Sequence, residues 1–321
     1  MTRRRFDAGA PAHNAVVTPV SFAVVMATGI VSVAAREDGL RVVSAVLAVV
    51  AVVALVVLAV MLATRVARNR RAAADALRRP TVFELLTLVA ATDVLGARAQ
   101  LAGHADLALW LAAFALVACL VLAPCAARVA GRLRRRARGD WLNLVVATQS
   151  LAVIAGGHRG LTAAGVTLWL LGLVVYAALI GAILPRMAEA WREPRRHTAD
   201  TWIVMGALAI TTLAGALLNV AGIPTATWAL ATVAYAALIA LEARVALARV
   251  APPAGRRWST VFPLGMYAAC SHAVGLHTLG TVAMGVALAA WLVTTIAVAR
   301  PSLPGPASRI AGSRQRVRKS I

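Results

Sequence analysis

Residues 42–64 read VVSAVLAVVAVVALVVLAVMLAT, closed by Arg41 on one side and Arg65 on the other. The stretch carries no charge, and only Ser44 and Thr64 are polar. Wound as an α-helix at about 1.5 Å per residue, a run of this length crosses the ~30 Å hydrocarbon layer of a bilayer. A barrel strand needs about ten residues and alternates apolar with polar side chains, which this run does not do. Lipid offers backbone N–H and C=O groups no partner, so a helix, which pairs them internally, is the structure the stretch dictates.

The pattern recurs on both sides. Apolar runs fall at 17–35, 42–64, 82–100, 105–124, 141–157, 162–185, 200–221, 225–247, 258–276 and 278–299, the fifth short and ending at Gly156-Gly157. Of 321 residues, 61% are hydrophobic and 14% charged. Mean hydropathy is +0.80, and the apolar share is above that of ordinary soluble domains. The chain therefore reads as an all-α integral membrane protein of ten transmembrane helices, arranged as five hairpins.

Net charge is +21, which in a soluble protein would suggest nucleic acid. Here the arginines sit between the runs, so membrane topology accounts for them and no nucleic-acid partner is expected. With the N-terminus inside, 29 of the 33 basic residues fall on the inner side, and Arg36, Arg41, Arg98 and Arg159 on the outer. A missed or invented span would invert this asymmetry midway, and it never inverts. The expectation is a plasma (inner) membrane protein with both termini cytoplasmic: an N-terminal tail 1–16, a membrane domain 17–299 and a basic tail 300–321. The last is expected to be disordered and to rest on anionic lipid. Near-exclusive use of Arg over Lys, with abundant Ala and Val, points to a GC-rich bacterial genome. Thr2-Arg3-Arg4-Arg5-Phe6 partly resembles a twin-arginine signal, but the first run reads as a membrane helix.

No catalytic or metal-binding signature is present, so neither an enzyme nor a cofactor or metal is expected. Cys119, Cys125 and Cys270 form no C-x-x-C pair and read as small packed hydrophobes.

Polar residues concentrate in the odd-numbered runs. Thr18, Ser21, Thr28 and Ser32 share one face of the first helix at 100° per residue, and Thr211, Thr212 and Asn219 one sector of the seventh. Thr148, Gln149 and Ser150 mark the fifth. The second and fourth are almost wholly Ala, Val and Leu, although the tenth carries Thr278, Thr281, Thr294 and Thr295. One reading makes the odd helices the wall of a central pore, with Ser21, Thr28, Ser32, Thr87, Thr148, Gln149, Thr211, Thr212, Asn219 and Ser259 lining it. The other makes the same residues ordinary helix-packing groups.

In the ninth run, Trp258-Ser259-Thr260-Val261-Phe262-Pro263 places a ring beside a proline that frees the Ser259 carbonyl. Phe262 and Pro263 are candidates for a hydrophobic gate, or for an aromatic packed on a neighbouring helix. Asp93 is ionisable at membrane depth, and Arg98 follows five residues later. The two are candidates for a proton site or an ion pair. Glu84 and Glu242 are expected to pair with loop arginines. His104, His158, His272 and His277 fall near the outer side, either as polar surface or as a mouth that gains positive charge as pH falls.

Phe22-Ala23-Val24-Val25-Met26-Ala27-Thr28-Gly29-Ile30, Thr92-Asp93-Val94-Leu95-Gly96-Ala97-Arg98, Val146-Ala147-Thr148-Gln149-Ser150 and Trp258…Phe262-Pro263 together resemble the first-, third-, fifth- and ninth-helix segments of the tellurite-resistance/dicarboxylate transporter family. That family is related to the plant slow anion channels. The resemblance implies odd helices around a pore, Phe262 as its plug, a homo-oligomer that is often a trimer, and no cofactor. It implies a small anion as substrate: an inorganic anion, a C4-dicarboxylate such as malate, or sulfite, with tellurite by association. Asp93 departs from this picture, because a carboxylate on an anion path repels the ion. The expected function is an anion channel or transporter. The alternative is a proton-coupled dicarboxylate or sulfite carrier, and behind it a non-transporting scaffold or sensor.

Overall fold

The computed structural model describes residues 22–133, 137–248 and 257–299, which form α-helices joined by short turns and 3-10 segments. Ser21 and both terminal tails lie outside the described residues. The helices are α1 (Phe22–Glu37), α2 (Arg41–Arg68), α3 (Arg70–Ala76), α4 (Thr81–Leu101), α5 (Ala105–Leu133), α6 (Asn143–Gly156), α7 (Thr162–Arg192), α8 (Ile203–Leu217), α9 (Ile223–Leu247), α10 (Trp258–Ala273) and α11 (His277–Ala299). Each apolar run has its helix. The unforeseen element is α3, in an Arg-rich connection, where the Asn69 side chain caps the first turn by accepting from the Ala72 N–H at 2.9 Å.

Among the described residues six helices are long and apolar enough to cross a membrane: α2, α5, α7, α8 with its leading turn, α9 and α11. A seventh qualifies if α3 and α4, bent by 95°, count as one span. Helices α1, α6 and α10 have 16, 14 and 16 described residues, short of the ~20 a lipid-facing helix needs. All three are largely buried among the other helices. Helices α1, α4, α6, α8 and α10 each pack on the next, and α10 returns to α1, closing a ring. Outside the ring, α2, α5, α7, α9 and α11 each pack on the inner helix that precedes or follows them in a hairpin.

The two layers differ in exposure. From Val25 to Ala35 every residue of α1 is buried, and α8 is buried from Ile203 to Gly215. On the outer helices large apolar side chains face out, as at Val42 and Trp110, which are 77% and 76% exposed. In water an apolar surface this extensive would drive aggregation; against lipid tails it is matched.

Four of the five tight turns share one geometry. The N–H of Leu40, His104, Val220 and Leu276 each reaches back five residues, to the carbonyls of Ala35, Ala99, Gly215 and Ser271. The residue before each donor is left-handed: Gly39 (φ 78°), Gly103 (φ 89°), Asn219 (φ 56°) and Gly275 (φ 84°). This is the Schellman ending, which favours Gly and tolerates Asn. The α6–α7 turn differs, running through 3-10 bonds at Gly157 and His158 instead.

Candidate functional site

Two separate cavities lie within the ring, and all five inner helices line both. The first, about 40 Å³, is bounded by Ala23 of α1, Thr87 of α4, Asn143 of α6, Ile203 of α8 and Ser259 of α10, with Glu84, Arg138, Asp140 and Asp200 at its edge. The second, about 20 Å³, is bounded by Ile30, Val94, Ser150, Ile210 and Met266 of the same helices, with Asp93 and further apolar groups. Every helix contributes one residue to the first cavity and one to the second that are seven positions apart: Ala23 and Ile30, Thr87 and Val94, Asn143 and Ser150, Ile203 and Ile210, Ser259 and Met266. Seven residues are nearly two turns, so each pair shares a face and spans about 10 Å along the helix. The earlier residue is at the first cavity in all five cases, so the inner helices run parallel.

The layer between the cavities follows from that register. Residues three and four positions after the first lining residue are Met26 and Ala27, Ala90 and Ala91, Val146 and Ala147, Gly206 and Ala207, and Phe262 and Pro263. All ten are buried. Phe262 lies three residues after Ser259 and four before Met266, on the face that meets both cavities. It is the one aromatic in a layer otherwise rich in Ala and Gly. Gly206 accommodates it: a Cβ there would come within 3.4 Å of Phe262 Cε1 and 2.9 Å of Pro263 Cγ. Pro263 sits inside a continuous α10. Being in the first turns of α10, it frees a carbonyl beside the first cavity.

At the first cavity the N-terminal ends of the five helices converge. Acidic residues occupy the first turns there, Glu84 on α4 and Asp140 and Asp200 on the 3-10 turns that lead into α6 and α8. Carboxylates complement the positive end of a helix dipole. Arg138 joins them, with Nη2 2.9 Å from Asp140 Oδ2 and Nε 3.7 Å from Asp200 Oδ2. Partial burial works against its charge, but Asp140, Asp200 and Glu84 outweigh that and hold the guanidinium protonated more firmly than a free arginine. Gly139 lets the two leading turns touch, since a Cβ would collide with the Asp200 carbonyl. The mouth thus sets one arginine among three carboxylates. Glu242 Oε1 lies 2.9 Å from His197 Nε2 and accepts from Trp202 Nε1 at 2.8 Å, and Arg257 of the loop is close enough to act on its charge.

At the second cavity Asp93 is 1% exposed and accepts a 2.6 Å hydrogen bond from the Ser150 hydroxyl at Oδ2. Among the described residues its Oδ1, also buried, has no hydrogen-bond partner. Asp93 and Arg98 form no ion pair. Arg98 Nε instead donates to Ser44 Oγ at 2.9 Å and Ser32 Oγ at 3.2 Å. The distortion needed to bring residues five apart together is absent, and two buried serines supply the arginine with acceptors.

Most of the other candidate lining residues point outward. Thr28 Oγ1 accepts from Trp291 Nε1 of α11 at 2.9 Å. Ser32 and Ser44 exchange 2.7 Å bonds from each hydroxyl to the other's carbonyl, stapling α1 to α2. Gln149 Nε2 donates to the Trp169 carbonyl of α7 at 3.1 Å, and Trp169 Nε1 donates to the Thr211 carbonyl at 2.9 Å. Thr212 and Thr227 hydroxyls meet at 2.8 Å between α8 and α9. Thr148 bonds its own helix at the Leu144 carbonyl, and Asn219 forms the left-handed corner of a turn. Thr28, Ser32, Gln149 and Thr212 thus tie one helix to another, whereas the Thr148 and Thr211 hydroxyls bond within their own helices. Thr87 and Ser259 do line a cavity. Asn143 and Ser150 join them, signalled in the sequence by their seven-residue spacing.

Residues 16–299 match the SLAC1 family, described as voltage-dependent anion channel. Two curated relatives, uncharacterized membrane proteins of Mycobacterium tuberculosis strains CDC 1551 / Oshkosh and H37Rv, are each 29% identical to this chain. Each match covers 39% of this chain and 76% of the relative. With helices built to face lipid and a family match over most of its length, the chain is a multi-pass membrane protein and belongs to the SLAC1 family of voltage-dependent anion channels.

Proposed function

We propose that residues 17–299 cross a bacterial plasma membrane ten times as five hairpins, both termini cytoplasmic, and that small anions pass along the ring axis through a gate formed by Phe262. The supporting observation is the pair of axial cavities lined by all five inner helices, with the Phe262 layer between them. The first cavity is the inner mouth, where helix N-termini and Arg138 attract an anion and the carboxylates temper that field. The wall beyond is apolar save for Asp93 and Ser150, so it holds an anion weakly enough to release it. Phe262→Ala opens the layer, and anion conductance in liposomes rises several-fold. Unchanged conductance in a folded variant would remove the gate assignment. The functional unit on this reading is a homo-oligomer, a trimer in keeping with the family resemblance, with each subunit holding its own path.

Asp93 favours a second reading, a carrier that takes a proton with a C4-dicarboxylate or sulfite. Its carboxyl faces the second cavity with one oxygen unpartnered. Flux of chloride, nitrate, sulfite and malate measured with and without a pH gradient separates the two. A channel ignores the gradient, whereas a carrier saturates and is driven by it.

A further inference from the structure

At the opposite end from Arg138, the α10–α11 turn brings two imidazoles together. His272 is in the last turn of α10 and His277 begins α11, and their Nδ1 atoms are 3.4 Å apart. The rings are tilted by 37°. A good nitrogen-donor hydrogen bond is shorter, about 2.7–3.2 Å. Two nitrogens bound to one tetrahedral ion at ~2.0–2.1 Å are separated by roughly 3.3–3.4 Å. The 3.4 Å contact is a long hydrogen bond between the rings and also matches the separation of two nitrogens on one ion.

The surroundings hold the pair in that geometry. The left-handed Gly275 and the bond from the Leu276 N–H to the Ser271 carbonyl fix the turn between them. The His272 ring lies over Gly280, where a Cβ would meet Cδ2 at 2.5 Å. The Nε2 of His272 is 3.1 Å from Asp38 Oδ1, in the α1–α2 turn, yet makes no well-aligned hydrogen bond. Asp38 Oδ1 is itself anchored by the Thr281 hydroxyl at 2.6 Å. A carboxylate 3.1 Å behind the far nitrogen is placed to accept the Nε2 proton once the ring turns to present Nδ1 to a metal, the arrangement that supports a metal-bound histidine. Among the described residues no group of three or more His, Cys, Asp or Glu side chains gathers around a metal position. Two imidazoles and solvent ligands would therefore complete the shell, with His277 exposed enough to admit them.

We propose that His272 and His277 form a binding site for a borderline divalent transition ion such as Zn²⁺, with Asp38 orienting His272 from the outer sphere. Imidazole nitrogen selects Zn²⁺, Ni²⁺ and Cu²⁺ over Mg²⁺ and Ca²⁺, which take oxygen ligands. The site joins the first hairpin to the last, and so clamps the seam where the ring closes. It stands independently of any anion path.

The test is Zn²⁺ titration of the full-length protein in detergent, by calorimetry and by competition with a chromophoric chelator. One saturable Zn²⁺ per chain is expected, displaced by Cu²⁺ and indifferent to millimolar Mg²⁺. His277→Gln, an exposed change, should weaken binding at least tenfold, and Asp38→Asn by about 10–100-fold. Bound Co²⁺ in the unaltered protein should show the absorption of nitrogen ligation without a thiolate band. Wild-type affinity in His277→Gln, a thiolate band, or no saturable binding overturns the site.

Discussion

Gly206 of α8 faces Pro263 of α10 so closely that a Cβ there would stand 2.9 Å from Pro263 Cγ. Gly206→Ala must therefore displace α10 at the Phe262 layer. Overpacking of this kind costs about 1–3 kcal/mol, read as a lower unfolding midpoint in detergent, with a raised basal anion leak. In a Pro263→Ala background the penalty should shrink, because the pyrrolidine ring that the new Cβ crowds is gone. Strict additivity of the two changes would show that the residues do not share the layer.

The Asp93–Ser150 pair separates structure from coupling. Ser150→Ala leaves both carboxyl oxygens of Asp93 without a side-chain donor and should cost about 1–3 kcal/mol of stability. Asp93→Asn keeps shape while removing the titratable carboxyl. For a carrier it abolishes the response to a pH gradient and spares downhill flux. For a channel it leaves both unaltered or raises conductance, as an anion then passes no carboxylate. Liposome flux with an imposed gradient reads the difference.

Arg138→Gln leaves Glu84, Asp140 and Asp200 around the mouth without their guanidinium. Anion entry from that side should fall on the order of tenfold at low ionic strength, as steering fields do. In 1 M salt, where the Debye length is ~3 Å, much of the loss should disappear. Loss that ignores salt would point to a folding defect instead, which circular dichroism would show.

Thr28→Val and Thr212→Val remove fasteners to α11 and α9. Each should cost roughly 0.6 kcal/mol, the average for hydrogen bonds between membrane helices, and should leave the ranking of transported anions unchanged. Thr87→Val and Ser259→Ala, at the first cavity, should alter that ranking in a chloride–nitrate–malate comparison. A shift in selectivity from Thr28→Val would return that hydroxyl to the ion path.

The helices were legible because lipid imposes one answer on a long uncharged run. Their ends were less so. The run 105–124 continues as helix to Leu133 and 162–185 continues to Arg192. Arginine stems lie along apolar surface while the charged heads reach water, so a helix outlasts its hydrophobic stretch. The side on which the hydroxyls act was not legible. Thr28 and Ser32 do share a sector of α1, but angles within one helix do not reveal which neighbour that sector meets. In an apolar medium each hydroxyl needs a partner, and for these the partner sits on α11 or α2. The axial wall carries its signature in position rather than polarity. Asn143 and Ser150 are both polar, but Ile203 and Ile210 occupy equivalent places with nothing to mark them.

In four repeats the left-handed turn residue comes nine positions after the second-cavity residue: Ile30 to Gly39, Val94 to Gly103, Ile210 to Asn219, Met266 to Gly275. Each of these segments is a fixed-length ruler. A single-residue insertion within one would swing its wall residue about 100° relative to its turn. Homologous sequences should therefore align without gaps across these four windows, and their length variation should collect in the Arg-rich connections between hairpins. The α6–α7 turn, built on a different pattern and lacking such a ruler, is where a gap belongs.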